Sequence, residues 1–589
     1  MKMQLLATLV VLLLLAISIV PNNGTKEKVK NKKKEVPVQK KEPPKKVDRK
    51  DYPGLPKEVL IIGAGMAGLA AARRISSDRS NFTVKVYEAR QERFGGRVWT
   101  DKLKDMSAKG AEVDLGGSAF NVVSKNNPLV KLAEDFELKS TKLDNLQFIV
   151  PWEQKHFSGE ELTQITRQAG QILGQALNES KSVETEISVK EAIDKVLASG
   201  AIASSDSPGA LLIKSLPSYI LRDYSTRNYT PELLDVGYEK VLLDGMGELV
   251  DRLLSGSPEE PPLHLHLNKA VRQIKVDKSQ GKVLVRFRDG SQVSADFVVV
   301  AVPSTIISTG GLLFEPALPK KYQLAAKEMG MSAGDKIIIQ FERPFWSPDY
   351  GVFVRAVNRD SDRGNLQTWV NINRIVGVPA LGGFLTGDPA VKFEKMTNED
   401  AEELVITVLN EMFGEEVVKQ GGKIVKFQRS QWVTDEWSKG ASTYPKVGND
   451  PSLWDTFSQP LCPYIYFAGE HTQFDSHGSL HGAYNSGIRA GDQILTGLCE
   501  LLRKEEIQRK KEERRKKEEA KKKKEGDKAD KKEGKKSKED EIKDDEVDDD
   551  DYTDDDDDAY ENEIRLDKEK RDEDKTDNDK KKKKKKDEL

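Results

Sequence analysis

Three glycines, an acid and a guanidinium fall at the spacing a dinucleotide requires. Gly63, Gly65 and Gly68 stand in G-x-G-x-x-G order directly after the apolar run Val59–Ile62 and open an Ala-rich stretch. Gly63 permits a tight turn and Gly65 lets backbone approach a pyrophosphate. Gly68 lets a helix pack close to a strand, and Ala67 lies between them in the phosphate-facing turn. The helix start supplies unpaired N–H groups and the positive end of a dipole. Glu88, 20 residues after Gly68, ends a second apolar run, where a carboxylate can accept hydrogen bonds from an adenosine ribose. Arg90 follows, and then Gly95-Gly96-Arg97 offers a second backbone approach to the diphosphate with a guanidinium to neutralise it. A lone G-x-G-x-x-G would be weak. Strand, glycines, helix, strand and acid in register make a dinucleotide site.

The elements that must position these residues are legible around them. Val59–Ile62 suits a buried parallel strand, and Val84–Tyr87 forms the second strand of the unit. Farther on, 270–276, 283–287 and 297–303 read as strands, with Asp289-Gly290 as a hairpin turn. His264 and His266 alternate on one strand face, where solvation is the expected explanation.

The region resembles the flavin-containing amine oxidases, a family that includes polyamine oxidases, monoamine oxidases and histone demethylases. The motifs that carry the resemblance occur in the family's order over roughly 57–502. Ala111–Ser118, with Gly117 and Ser118, looks like the segment passing beside the flavin. Gly334-Asp-Lys336-Ile-Ile-Ile looks like the strand bearing the active-site lysine. Tyr466-Phe-Ala-Gly-Glu470-His-Thr and Gly478-Ser-Leu480-His-Gly-Ala look like the C-terminal flavin signature. The resemblance implies an α/β (α+β two-domain) fold. A Rossmann-like FAD-binding domain is expected from 57–125, 240–325 and 455–502. An inserted substrate domain of mixed sheet and helices is expected from 126–239 and 326–454. It also implies that Val271 meets the adenine through its backbone, that Glu470 sits at the diphosphate or ribityl end, and that Leu480 passes the ring. Lys336 matches the lysine that holds a water near flavin N5. Its apolar strand favours the neutral amine, which suits proton handling.

The implied reaction is oxidation of an amine C–N bond, with hydrolysis of the imine and reduction of O₂ to hydrogen peroxide. The bound flavin would perform the redox step. Two positions depart from the family. Ser442 and Ser479 stand where aromatic cage residues are expected, and Tyr444 could substitute only if its loop shifted by two residues. Ala441 replaces the cysteine that attaches flavin in monoamine oxidases, so FAD is expected to be non-covalent. Gly117–Asn121 also lacks the acid or His that polyamine oxidases often carry. An L-amino-acid oxidase, needing an Arg for the substrate carboxylate, is the enzymatic rival. A flavoprotein without turnover is the other alternative.

Composition bounds the remainder. The 589 residues exceed one typical domain, and a net charge of −3 hides strongly segregated blocks. Residues 23–56 and 503–589 are too charged and too poor in apolar side chains to bury a core, so both are expected to be disordered or solvated. Interleaved charges over 500–524 favour a solvent-exposed helix. The acidic stretch 540–562 suits weak, multiple Ca²⁺ binding or a plain spacer. Nucleic-acid binding is excluded by the alternation of basic and acidic blocks and the lack of aromatics.

Residues 1–22 read as a signal peptide, since the Leu5–Val20 stretch is short for a membrane span and Pro21 breaks it. An uncleaved signal anchor is the alternative, because Ile17–Pro21 makes a poor small-residue cleavage site. The final Lys586-Asp587-Glu588-Leu589 is an endoplasmic-reticulum retrieval signal that a receptor reads. Together they predict a protein of the reticulum lumen. Asn23, Asn81, Asn178 and Asn228 lie in glycosylation sequons. Cys462 and Cys499 are expected as free thiols, and no Cys/His cluster has metal-ligand spacing.

Overall fold

The structure is a computed structural model. It describes residues 57–77, 82–103, 111–121, 127–200, 202–215, 224–228, 239–257 and 260–499, with isolated helical residues between 504 and 516. The expected signal peptide, the linker, Asn23, Asn81, the acidic stretch and the retrieval signal lie outside the described residues. Among those near 504–516, Glu512 and Lys516 form an i,i+4 ion pair. No helix among the described residues is long and apolar enough to cross a membrane. The elements below belong to the unit that ends at Glu505.

A five-stranded parallel sheet carries the glycine motif. Its order is His264–His266, Phe82–Tyr87, Lys57–Ile62, Phe297–Val300, Ile465–Phe467. The central strands are continuous apolar runs because both faces are covered. Val59 and Ile61 join the core under helices Met66–Ser76, Gly245–Ser255 and Leu480–Leu495. Leu60 and Ile62 face the other way, onto a mixed sheet built from Val271–Asp277, Lys282–Phe287, Gln292–Ala295 and Leu313–Glu315, the last strand pairing parallel to the first. The two-residue period of a strand thus serves two cores from one sequence run. His264 and His266 are exposed, and the His266 ring stacks on Tyr87 at 4.7 Å.

Small residues set the helix packing above this sheet. A side chain on Gly487 would meet the carbonyl of Ala67 at 2.2 Å, so helices Leu480–Leu495 and Met66–Ser76 touch backbone to backbone. Gly68 is tighter still: a Cβ there would lie 1.9 Å from the Gly63 carbonyl oxygen.

A second, seven-stranded sheet lies elsewhere in the unit. Its order is Ile424–Arg429, Gly334–Phe341, Ala380–Thr386, Asn365–Asn371, Val352–Arg355, Leu146–Val150, Lys155–Phe157. Strand Gly334–Phe341 is two-faced. Ile337, Ile339 and Phe341 pack with Trp369 and helix Asn398–Phe413, while Ile338 packs with Val113 and Leu115 from the glycine-motif side of the chain.

Cys462 and Cys499 are not free thiols. They form a disulfide with Cα atoms 5.3 Å apart, joining the approach to strand Ile465–Phe467 to the end of the C-terminal helical segment. A large core needs no staple, which was the ground for expecting thiols. A bond there instead fastens the chain just after its last core helix. Asn178 is exposed near the end of helix Gly159–Ser180, and the Asn228 amide donates to the Asn449 carbonyl at 2.8 Å.

Closing a loop of 37 residues is worth roughly 2–4 kcal/mol in the chain-entropy account. Replacing both cysteines with serine should lower unfolding free energy by that amount in denaturant titration. Thiol labelling of the native protein should find no reactive cysteine; two labelled thiols would show that the bond is absent.

Candidate active site

The two glycine turns face one another at the carboxyl end of the parallel sheet. Gly65 bridges to Gly95, and the Gly95 N–H donates to the Ala64 carbonyl at 2.8 Å. Gly63, Gly95 and Gly96 all have positive φ, which a side chain would strain. No side chain caps the N-terminus of helix Met66–Ser76, and Gly65, Met66 and Ala67 form part of a cavity wall. This cavity, about 370 Å³ in volume, runs from Tyr87, Glu88 and Val271 to Lys336, Phe384 and Ser442. It opens at the switch point of the sheet, where strand order reverses about Lys57–Ile62. Glu88 is buried; one carboxylate oxygen accepts from Ala64 N and the other from Arg90 N, each at 2.9 Å. A carboxylate has about four acceptor sites, so capacity remains for further donors.

An ion pair between the half-buried Arg97 and the buried Glu470 lies farther along the wall. Arg97 donates to Glu470 at 3.0 Å and to the Ala441 carbonyl at 2.8 Å. Glu470 also accepts from Thr443 Oγ1 at 2.5 Å and Gly478 N at 2.8 Å. Burial alone would raise this carboxyl. The Arg97 guanidinium and these donors outweigh it and hold Glu470 at about 2. Next to it, burial brings His471 down to about 4, so the ring is neutral. Both its nitrogens are buried without a hydrogen-bond partner.

Lys336 projects from strand Gly334–Phe341 toward the segment after Ala111–Asp114. Its amine donates to Gly116 O at 2.7 Å, Ser118 Oγ at 2.6 Å and Asp114 O at 3.3 Å. Phe384, its cross-strand neighbour, places its ring centroid 5.2 Å away. The Asp114 carboxyl, pushed up to about 6 by burial with Lys336 opposing, accepts from Thr100 and from Met246 N at the start of helix Gly245–Ser255. The lysine is thereby fixed by backbone that other elements hold in place.

The cavity brings together Gly63, Gly65, Ala67, Glu88, Arg90, Gly96, Arg97, Gly117, Val271, Lys336, Glu470 and Leu480. Gly68 and Ser118 lie outside its wall: Gly68 sets helix against strand, and Ser118 holds the lysine. Arg90 is spent on a bidentate pair with Asp435, at 2.7 and 2.6 Å. Ser442 and Ser479 do occupy the wall. Ser442 Oγ pairs with Ser332 Oγ at 2.9 Å, and Ser479 caps helix Leu480–Leu495 by accepting from Gly482 N at 3.0 Å. Tyr444 does not replace the missing aromatic. It is buried outside the wall and stacked on Tyr224 at 6.1 Å.

Sequence reasoning assigned no role to Ser332, Asp335, Phe384, Trp432, Trp437 or His471, all of which line the cavity. For Asp335 a signal existed, namely a second charge beside Lys336 in an otherwise apolar strand. Phe384 and Ser332 reach the wall only through long-range pairing.

The open glycine cradle, the uncapped helix N-terminus and Arg97 in the cavity wall define a dinucleotide-binding protein. Gly65 tests the fit: a Cβ there would meet no atom nearer than 3.8 Å, leaving room for a ligand against bare backbone. A model of the flavin containing amine oxidoreductase family matches residues 66–495, and the chain belongs to that family. Polyamine oxidase 5 of Oryza sativa subsp. japonica is 28% identical over 453 residues, covering 74% of this chain and 87% of its own length. Lysine-specific histone demethylase 1 homolog 1 of the same plant is 26% identical, covering 75% of this chain and 52% of its own. An engineered putrescine oxidase, redesigned at its cofactor site, superposes with a TM-score of 0.58 at 20% identity, over 74% of this chain and 98% of that one. This chain is an FAD-dependent oxidoreductase acting on amines. FAD is held non-covalently: Ala441 offers no nucleophile, and both cysteines are in the disulfide.

The two glycines should separate on substitution. Gly65→Ala should leave apoprotein melting unchanged and weaken FAD binding at least about ten-fold, near 1.4 kcal/mol. Gly68→Ala should cost the apoprotein itself about 2–3 kcal/mol through overpacking. Calorimetry of the apoproteins with FAD titration checks both, and equal apoprotein stabilities would contradict the assignment.

Proposed function

We propose that this protein oxidises a polyamine in the lumen of the endoplasmic reticulum. Bound FAD supplies the two-electron acceptor and O₂ restores it with release of hydrogen peroxide. The chain's own residues divide the remaining work. The segments 57–125, 240–325 and 455–502 hold the cofactor. Gly65, Ala67, Gly96 and Arg97 would meet the diphosphate, Glu88 the ribose and Val271 the adenine. The segments 126–239 and 326–454 shape the amine side.

The observation that carries the reading is Lys336. Its amine sits in the wall between Gly116 and Phe384, held by two carbonyls and a hydroxyl, where it can order a water and relay a proton. Phe384, Leu480 and Trp432 supply apolar wall that excludes bulk water, while Ser332, Ser442 and Ser479 make the remaining surface polar. A hydroxyl-lined wall accepts a flexible, hydrogen-bonding aliphatic amine better than a flat apolar one. The two cavity arginines, Arg90 and Arg97, are held by Asp435 and Glu470, which disfavours recognition of an amino-acid carboxylate. Similarity to polyamine oxidases points the same way.

The lumenal assignment rests on the sequence features of residues 1–22 and 586–589. The Cys462–Cys499 disulfide supports it, since such bonds persist in oxidising compartments.

Peroxide release from the purified holoenzyme should appear with polyamines and stay near background with L-amino acids. Activity on amino acids alone would overturn the substrate class, and silence across polyamines, monoamines and amino acids with flavin retained would overturn oxidase function. Lys336→Met should lower turnover by about 10²–10⁴-fold while FAD stays bound; an unchanged rate would remove the lysine from the chemistry.

A further inference from the structure

Residues 431–440 form a strap along the cavity, contributing Trp432, Trp437 and Ser438 to its wall. One end is fastened on the adenosine side. Arg90 grips Asp435, and Arg288 pairs with Glu436 and lies 4.6 Å from the Trp437 ring. Thr305 donates to the Ser438 carbonyl at 2.8 Å, and Lys439 to Thr309 at 3.0 Å.

The other end is held by two carboxyl groups. Glu394, just past helix Asp388–Phe393, accepts from Val433 N and Thr434 N, each at 2.7 Å, one on each oxygen. Asp335 accepts from Trp432 N at 3.0 Å and Ser430 Oγ at 2.8 Å on a single oxygen. Ser430 in turn accepts the backbone N–H of Lys336 at 2.9 Å. One pair of acids therefore sets both the strap and the strand that presents the lysine.

These acids are 4% and 5% exposed, and the second Asp335 oxygen is buried with no donor to accept from. The side chain that acts on the Asp335 carboxyl is Glu394, and both acids accept from neighbouring amides of the same strap, at Trp432, Val433 and Thr434. Two carboxylates cannot hydrogen-bond each other; a carboxyl and a carboxylate can, with one proton between them. Glu394 already spends an oxygen on each strap amide, so the proton belongs on Asp335. Burial first, and Glu394 second, push the Asp335 carboxyl up to about 8. Among the described residues, Glu394 is the ionisable side chain acting on Asp335. Arg429, on the adjacent strand, spends its guanidinium on the Phe393 and Met396 carbonyls at the same helix end. Lys336 emerges on the opposite face of its strand, against Asp114 and Gly116.

We propose that Asp335 and Glu394 share one proton, and that this shared proton latches the 431–440 strap over the FAD cavity. Both are positioning residues, acting through the strap and through Ser430. The sign follows from the raised carboxyl. The folded protein keeps a proton the unfolded chain loses at about pH 4, so the stabilisation is complete below that point and is lost as pH rises through about 8. Above it two buried carboxylates repel, and the strap loses its anchor. The latch does not depend on which amine is oxidised.

The test is FAD affinity of the full chain against pH, followed by flavin fluorescence. For the wild type the dissociation constant should rise about ten-fold per pH unit above pH 8, the slope of one linked proton. Asp335→Asn keeps the accepting oxygen and replaces the titrating proton with an amide N–H, so its affinity should stay flat over the same range. Hydrogen-exchange protection of 431–440 should fall with pH in the wild type and hold in the variant. If Asp335→Asn does not fold, Glu394→Gln removes the repelling charge but leaves one strap N–H without an acceptor. It should therefore bind FAD more weakly at low pH and lose affinity less steeply above pH 8 than the wild type; an unchanged low-pH affinity with the wild-type slope overturns the proposal. A flat wild-type profile, or equal slopes in wild type and variant, overturns the proposal.

Discussion

The Arg97–Glu470 pair joins parts of the chain that sequence keeps hundreds of residues apart. Its carboxylate gathers donors from residues 97, 443 and 478, and its guanidinium also takes the carbonyl of Ala441. Breaking such a pair by removing one partner is costly because it strands a desolvated charge. Its value lies less in stability than in specifying a single register among four segments. The second glycine turn, the loop bearing Ser442, the start of helix Leu480–Leu495 and the flavin signature all meet there. The loop bearing Ser442 and the segment leading into helix Leu480–Leu495 reach the cavity through it.

Strand Gly334–Phe341 performs the complementary task from the other sheet. Alternation puts Lys336 on the face toward Asp114 and Gly116, and Asp335 on the face toward Glu394. The lysine is immobilised by backbone carbonyls, while the acid immobilises backbone amides of the strap. Two adjacent charged residues in an apolar strand thereby serve opposite sides of one site. The strap then carries that placement to Arg90 and Arg288 on the nucleotide side.

The glycine motif was legible because its physics is local: a turn, a close approach and a helix start are written within six residues, and Glu88 follows at fixed spacing. Lys336 and Glu470 were found through motif resemblance, which also placed Ser442 and Ser479 in the wall. What sequence could not supply was long-range pairing. Ser479 is a serine because it caps a helix, Tyr444 is lost to Tyr224, and the two cysteines meet across 37 residues. Glu394 gave no local signal either, since its partners lie about 40 to 60 residues away in sequence. Such residues become visible only once the second sheet is folded against the first motif's loops.

Anaerobic mixing of the holoenzyme with amines, followed by flavin absorbance, tests the central claim most directly, because it reports electron transfer without relying on oxygen. Loss of the oxidised flavin spectrum with polyamines, and its persistence with L-amino acids, is the expected result. A flavin that remains bound and oxidised in the presence of every amine offered would contradict the assignment of this site to amine oxidation.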